Sequence, residues 1–264
     1  MHIHALDVYR PRTSLVHRLD ARVKLLLTVL FIVTTVLTPD GAWMAYVLLI
    51  AVVLVVVVVS QLEMGFVQRR AAVVFPFALA AVTVAFSTPG RSLLAVPVLG
   101  WDLTLTDAGL IRFVSIVFKS WLSVQMAVVL TASTPFPDLL RAMRSLRLPQ
   151  ILVATVGFAY RYIFVIGDEA LRLMRARTAR SGVRDGRGGG SVFWRARVTG
   201  GMAASLFLRS IERSERIYDA MVARGYDGEA RSLRPPVLRP WDVLVALPFV
   251  LVLAVIQVLA RLVW

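Results

Sequence analysis

Leu48–Leu62 reads LLIAVVLVVVVVSQL, and its valines pose the question that decides the fold. In water, β-branched residues of this kind suit a strand. In lipid, a lone strand leaves its backbone N–H and C=O groups without partners, whereas a helix satisfies them internally. The run widens to Ala42–Leu62, close to the roughly 20 residues that cross a hydrocarbon core as a helix. It is read as a transmembrane helix.

The rest of the chain agrees. Its 264 residues are 58% hydrophobic and its mean hydropathy is +0.74, where soluble domains run nearer 45–50% apolar, roughly. Four more spans are expected at Val23–Thr38, Ala71–Ser87, Gly109–Ser133 and Trp241–Val263, with Pro76 a candidate kink in Ala71–Ser87. The fold class expected is an all-α integral membrane protein. About five transmembrane helices are joined by two long cytosolic helices. The lead before Leu25 is polar and no Ala-x-Ala pattern follows it, so the N-terminus reads as retained.

Charge sets the orientation. The formal net charge is +14, almost all from arginine, since the only lysines are Lys24 and Lys119. The lead holds Arg10, Arg12, Arg18, Arg22 and Lys24; Arg69 and Arg70 follow the second span. Between Pro135 and Pro240 lie 19 arginines. Short cytoplasmic loops gather Lys and Arg, so the N-terminus and region 134–239 are expected inside a plasma membrane, with the C-terminus outside. This divides the chain into a cytosolic lead (1–24), a four-helix region (25–133), a cytosolic and interfacial region (134–239) and a last span (240–264). A sixth crossing at 151–166 is the competing topology.

Region 134–239 holds two half-apolar stretches. One is Ile151–Ile166, interrupted by Arg161; the other, RVTGGMAASLFLRSI, clusters Gly200, Gly201, Ala203, Ala204 and Ser205. Such small residues let helix backbones approach closely. Each stretch continues into an arginine-rich helix, and the glycine-rich 182–191 segment between them signals a turn. Two long helices in a V or X are expected. They end alike, in Ala176-x-x-Ala179-Arg180-Ser181 and Ala220-x-x-Ala223-Arg224-Gly225. A cation near a helix C-terminus complements its exposed carbonyls, and Gly182 or Gly225 can end the helix in the left-handed conformation. One copy reads as a capped helix. Two copies with one spacing read as paired plugs: alanines bare a face for a narrow groove, and each arginine can bond a carboxylate bidentately.

Several chemistries lack their residues. There is no cysteine, hence no disulfide, thiolate or Cys-based metal site. Neither lysine follows a glycine, as a phosphate-binding loop requires, so ATP hydrolysis by this chain is not expected. Met1-His2-Ile3-His4 could chelate a transition metal but reads more simply as a polar terminus; no metal or cofactor site is assigned. No carboxylate cluster, His-Glu-x-x-His or Gly-x-Ser-x-Gly supports an enzyme. Nucleic-acid binding is not expected either, because Phe158, Tyr160, Tyr162 and Phe164 sit in the apolar part of their helix rather than among exposed arginines.

Three stretches resemble one known family: HRLDARVKLL (His17–Leu26), LPQILVATVGFAYRYIFVIGDEALRLMRARTARSG (Leu148–Gly182) and FLRSIERSERIYDAMVARGYDG (Phe207–Gly228). They are similar to the transmembrane T component of energy-coupling factor (ECF) transporters, most of all the CbiQ type. The resemblance implies that Ala179, Arg180, Ser181, Ala223, Arg224 and Gly225 end coupling helices that dock into a pair of ABC-type ATPases. It implies that the apolar parts of those helices cradle a hydrophobic substrate-binding S component. It leans toward cobalt uptake for cobalamin synthesis, with nickel or a vitamin as alternatives. Ser181 stands where the family usually has glycine, and Ala21 where it usually has proline. A reading of another class is a membrane scaffold whose basic helices bind anionic lipid.

Overall fold

The computed structural model describes residues 9–98, 101–181, 191–228 and 238–264. These form two compact units, one of residues 9–142 and 238–264, the other of 143–181 and 191–228. The helices are α1 (Leu15–Arg18), α2 (Ala21–Leu37), α3 (Trp43–Val59), α4 (Met64–Ala71), α5 (Val74–Ser87), α6 (Asp107–Ser133), α7 (Phe136–Ser145), α8 (Gln150–Ser181), α9 (Val192–Val222) and α10 (Pro240–Val263). The all-α class holds for every long element. One antiparallel hairpin, β1 (Ser92–Val98) with β2 (Trp101–Thr106), fills what was expected to be a plain loop.

In the first unit α6 is the central helix, packed by α2, α3, α4 and α5, while α10 closes against α2 and α3. The valine run shows why. Ala45, Leu49, Val53 and Val57 recur every four residues and are buried, whereas Val47, Val55 and Val58 are 60%, 60% and 70% exposed. One ridge of α3 fills a protein core with Phe31, Leu122, Met126, Leu253 and Ile256. The other ridges are equally apolar and have only lipid to face. Hydroxyls in the adjacent α2 bond within their own helix: Thr34, Thr35 and Thr38 Oγ1 donate to carbonyls four residues back at 2.8–2.9 Å.

Among the described residues α6, α8 and α10 are each long and apolar enough to cross a membrane. The α4–α5 pair passes as one span bent by 47°. α3, with 17 residues, is a shorter apolar helix of about 25 Å. The bend lies at Ala72–Val73, not at Pro76 itself. Pro76 has no N–H to offer the carbonyl four residues earlier; that Ala72 carbonyl accepts from Phe75 N instead, at 3.0 Å. The arginines Arg69 and Arg70, expected in a loop, lie on α4.

Close approach in the bundle is made at Gly109, where a Cβ would stand 2.4 Å from the Ala85 carbonyl oxygen. Here α5 and the start of α6 touch backbone to backbone. Thr106 caps α6, accepting from Gly109 N at 3.1 Å and donating to Thr88 O at 2.7 Å.

Polar contacts mark the two ends of this unit. At one end Lys24 Nζ, buried, donates to Ser133 O at 3.1 Å, and Asp242 Oδ1 accepts from Asp20 N at 3.1 Å. The lead lies at this end too, since Arg10 N donates to Ala132 O at 3.0 Å. His17 Nε2 bonds Arg10 O at 3.0 Å and its Nδ1 faces Ser14 Oγ at 2.7 Å; burial holds the ring below its ordinary pKa and so neutral near pH 7. At the opposite end Asp40 Oδ1 accepts from Lys119 Nζ at 2.7 Å. Glu63, at the α3–α4 junction, lies 3.7 Å from Arg10, so the lead, this junction, the end of α6 and the start of α10 share one end of the unit.

Candidate functional site: the crossed helices α8 and α9

The second unit is built on α8 and α9, of 32 and 31 residues. They run antiparallel, for their contacts pair high numbers on one with low numbers on the other. Arg177 Nη1 donates to Thr199 Oγ1 at 3.1 Å, Arg209 Nη1 to Glu169 Oε1 at 3.2 Å, and the Phe158 and Tyr226 rings meet edge to face at 6.4 Å.

At the crossing one carboxylate serves both helices. Glu169 Oε2 accepts from Arg172 Nη2 of its own helix at 2.7 Å, and Arg213 Nη2 stands 3.9 Å from the same oxygen. Arg209 and Arg213 are four residues apart and so lie on one face of α9. The Glu169 side chain is only 18% exposed. Counting charges finds these arginines but gives them no task. The signal available was the acidic pair Asp168-Glu169 where the apolar half of α8 turns basic, with two arginines at helical spacing on its neighbour.

A cleft opens on each side of the crossing. One, of about 580 Å³, is lined by Phe158, Tyr162 and Ile166 of α8 and by Ile217, Met221 and Tyr226 beyond it. The other, of about 760 Å³, lies between Arg177 and Arg180 of α8 and Trp194, Val198 and Met202 of α9. Arg209 borders both. The small-residue cluster of α9 is open: a Cβ at Gly200 or Gly201 would meet no atom within 4 Å. The close approach expected of these glycines is made by no described residue.

The sequence-predicted residues sit at opposite ends of the pair. Ala179 and Arg180 are exposed in the last turn of α8, and Ser181 is its last helical residue. Gly182, the expected cap, lies outside the described residues, as do the 182–190 segment and the His2 and His4 pair. At the end of α9, Ala223, Arg224 and Gly225 are all exposed. Gly225 has φ +79° and its N–H donates to Val222 O at 2.9 Å, while Tyr226 N donates to Met221 O at 3.0 Å. This is a Schellman ending: the left-handed glycine reverses the chain and the next residue packs back. Here that residue is Tyr226, whose ring seals the smaller cleft against Phe158.

Arg172, Arg209 and Arg213 are committed to Glu169. Among the described residues Arg180 and Arg224 make no ion pair, as Arg161, Arg175, Arg195, Arg197 and Arg216 of the same helices make none, so what marks the two is their place at the helix ends. At 1.5 Å per residue they lie about 16 Å and about 22 Å along their helices from the Glu169–Arg209 contact, in opposite directions. The residues expected to dock are therefore not brought together; they are held apart. Among the described residues no three His, Asp or Glu side chains lie close enough to hold a metal ion.

A family profile described as Cobalt transport protein, CbiQ, matches residues 12–236. The Cobalt transport protein CbiQ of Rhodobacter capsulatus is 28% identical over 179 residues, covering 68% of this chain and 71% of its own. The Energy-coupling factor transporter transmembrane protein EcfT of Lacticaseibacillus paracasei is 29% identical over 236 residues, covering 84% of this chain and 85% of its own. The protein of the same name from Clostridium kluyveri is 26% identical and covers 97% of this chain and 96% of its own. With a profile match over most of its length and several helices apolar enough to span a bilayer, the chain belongs to the CbiQ family of cobalt transport proteins and is a membrane transport component.

Proposed function

We propose that this chain is the T component of an ECF-type ABC importer for cobalt ions. It transmits ATP-driven motion of a partner ATPase dimer to a separate, hydrophobic S component that binds the substrate. The single observation that supports this reading best is the repeated Ala-x-x-Ala-Arg ending, which leaves Arg180 and Arg224 exposed at opposite ends of two antiparallel helices. Two equivalent plugs facing apart fit two equivalent sockets on a symmetric dimer. In this reading region 134–239 and the N-terminus are cytoplasmic. Closing of the ATPase dimer draws Arg180 and Arg224 together, and the helices pivot about the Glu169 contact.

The apolar half of α8 supports an apolar partner. Ile151, Leu152, Val156 and Ile163 are 74%, 58%, 45% and 53% exposed, a cost in water that burial against a hydrophobic protein removes. Cobalt is favoured over nickel or a vitamin by the family's description. The test is a mild-detergent pull-down of the tagged chain with mass spectrometry, followed by radiolabelled cobalt uptake. An ATPase pair, a small hydrophobic protein and cobalt accumulation are expected. Recovery of the chain with lipid alone would overturn the proposal in favour of a scaffold.

A further inference from the structure

Like charges are crowded at one place on the helical bundle. Arg10 and Arg70 both stack on the Phe66 ring, with guanidinium carbons 4.3 and 4.9 Å from its centroid. Arg10 and Arg12 approach Glu63 Oε1 at 3.7 and 3.8 Å, too far for a direct hydrogen bond. Arg69, beside Arg70, is exposed and makes no ion pair among the described residues. Of these four guanidiniums only two, those of Arg10 and Arg12, approach a carboxylate, and they approach the same one.

The crowding is built by the backbone. Arg10 is tied down through its N–H to Ala132 O and through its carbonyl to His17, each at 3.0 Å. Phe66 and Arg70 are placed by α4, whose Val67 and Ala71 are buried in the core. A planar guanidinium stacked on a ring keeps its N–H edge free for an oxyanion.

Immediately beyond Arg70 the surface turns apolar. Val73, Phe75, Phe77 and Leu79 are 63%, 64%, 71% and 74% exposed, on the helix that bends by 47° away from α4. Cations on a short amphipathic helix, followed at once by exposed apolar side chains, mark the boundary between lipid headgroups and acyl chains.

We propose that Arg10, Arg12, Arg69 and Arg70 around Phe66 form a binding site for the phosphate headgroup of an anionic phospholipid, whose acyl chains lie along the exposed face of α5. The lipid supplies the negative charge that Glu63 alone cannot. The site shares no residue with the coupling helices, so it stands or falls independently of the transport reading.

The test is native mass spectrometry of the full chain in mild detergent, titrated with dioleoyl phosphatidylglycerol or dioleoyl phosphatidylcholine. R69Q/R70Q is expected to weaken phosphatidylglycerol binding about tenfold, two headgroup-level cations being lost. R195Q/R197Q removes the same charge from exposed positions on α9 and is expected to leave binding within about twofold. E63Q, which frees Arg10 and Arg12, is expected to raise the affinity, and E212Q to leave it unchanged. Equal losses in both double variants, equal binding of the two lipids by the wild type, or full displacement of phosphatidylglycerol by inorganic phosphate would overturn the proposal.

Discussion

Glu169 of α8 accepts a hydrogen bond from Arg209 of α9 at 3.2 Å while Arg172, on its own helix, holds its other oxygen at 2.7 Å. This contact joins α8 and α9, with a cleft on either side. Glu169→Gln removes the charge that keeps Arg172, Arg209 and Arg213 in one place. Hydrogen exchange is expected to quicken in α9 around Ser205–Arg213, with little change in α2, α3 and α6. In the proposed importer, ATPase activity then continues while uptake falls. Unchanged exchange would mean that apolar packing alone fixes the crossing.

Gly225 carries the second Ala-Arg ending into its reversal. With φ +79° and no atom within 4 Å of an added Cβ, its requirement is conformational, not steric. Gly225→Ala is expected to cost about 1–2 kcal/mol locally, and Gly225→Asn less, because Asn enters the left-handed region more readily. The measurement is exchange of the Tyr226 and Gly225 amides, bonded to Met221 and Val222. Equal protection in the alanine variant would show that the turn survives without glycine.

How much of this was legible in the sequence differs by element. The valine run was readable as a helix because lipid and core make the same demand, so α3 is apolar on every face and its limits fall within three residues of those expected. The set of spans was less legible: α2 is not among the helices long and apolar enough to cross, whereas α8, expected in the cytosol, is. The third span was harder. Pro76 marks the bend, but the lost hydrogen bond displaces the break to Ala72–Val73. The hairpin went unseen, although LTLT at Leu103–Thr106 alternates as a strand does. The end of α9 was readable because a local motif, Ala-Arg-Gly, dictates a local conformation. The Glu169 cluster was not, since which arginines meet one acid depends on where two helices cross.

Asp242 binds two segments at one end of the bundle. It is 2% exposed; Oδ1 accepts from Asp20 N at 3.1 Å and Oδ2 from Arg239 N at 2.9 Å. Asp242→Ala leaves both N–H groups without an acceptor and is expected to destabilise the unit by about 1–3 kcal/mol. Asp242→Asn keeps one acceptor oxygen and is expected to lose about half as much. Thermal unfolding in detergent checks the order: wild type, then Asn, then Ala. Identical midpoints would show that water replaces the carboxylate.

The account's central claim is that Arg180 and Arg224 are the two points where the chain grips an ATPase dimer. Truncating one partner of a desolvated charge pair costs about 2–5 kcal/mol, and reversing its sign costs no less. The most direct measurement is native mass spectrometry of complexes purified through the tagged chain, wild type beside Arg180→Glu/Arg224→Glu. The account predicts a wild-type complex with two ATPase subunits and a double variant with none. A double variant that still carries the ATPase pair at wild-type yield would contradict it, and the two arginines would be no more than the ends of two well-capped helices.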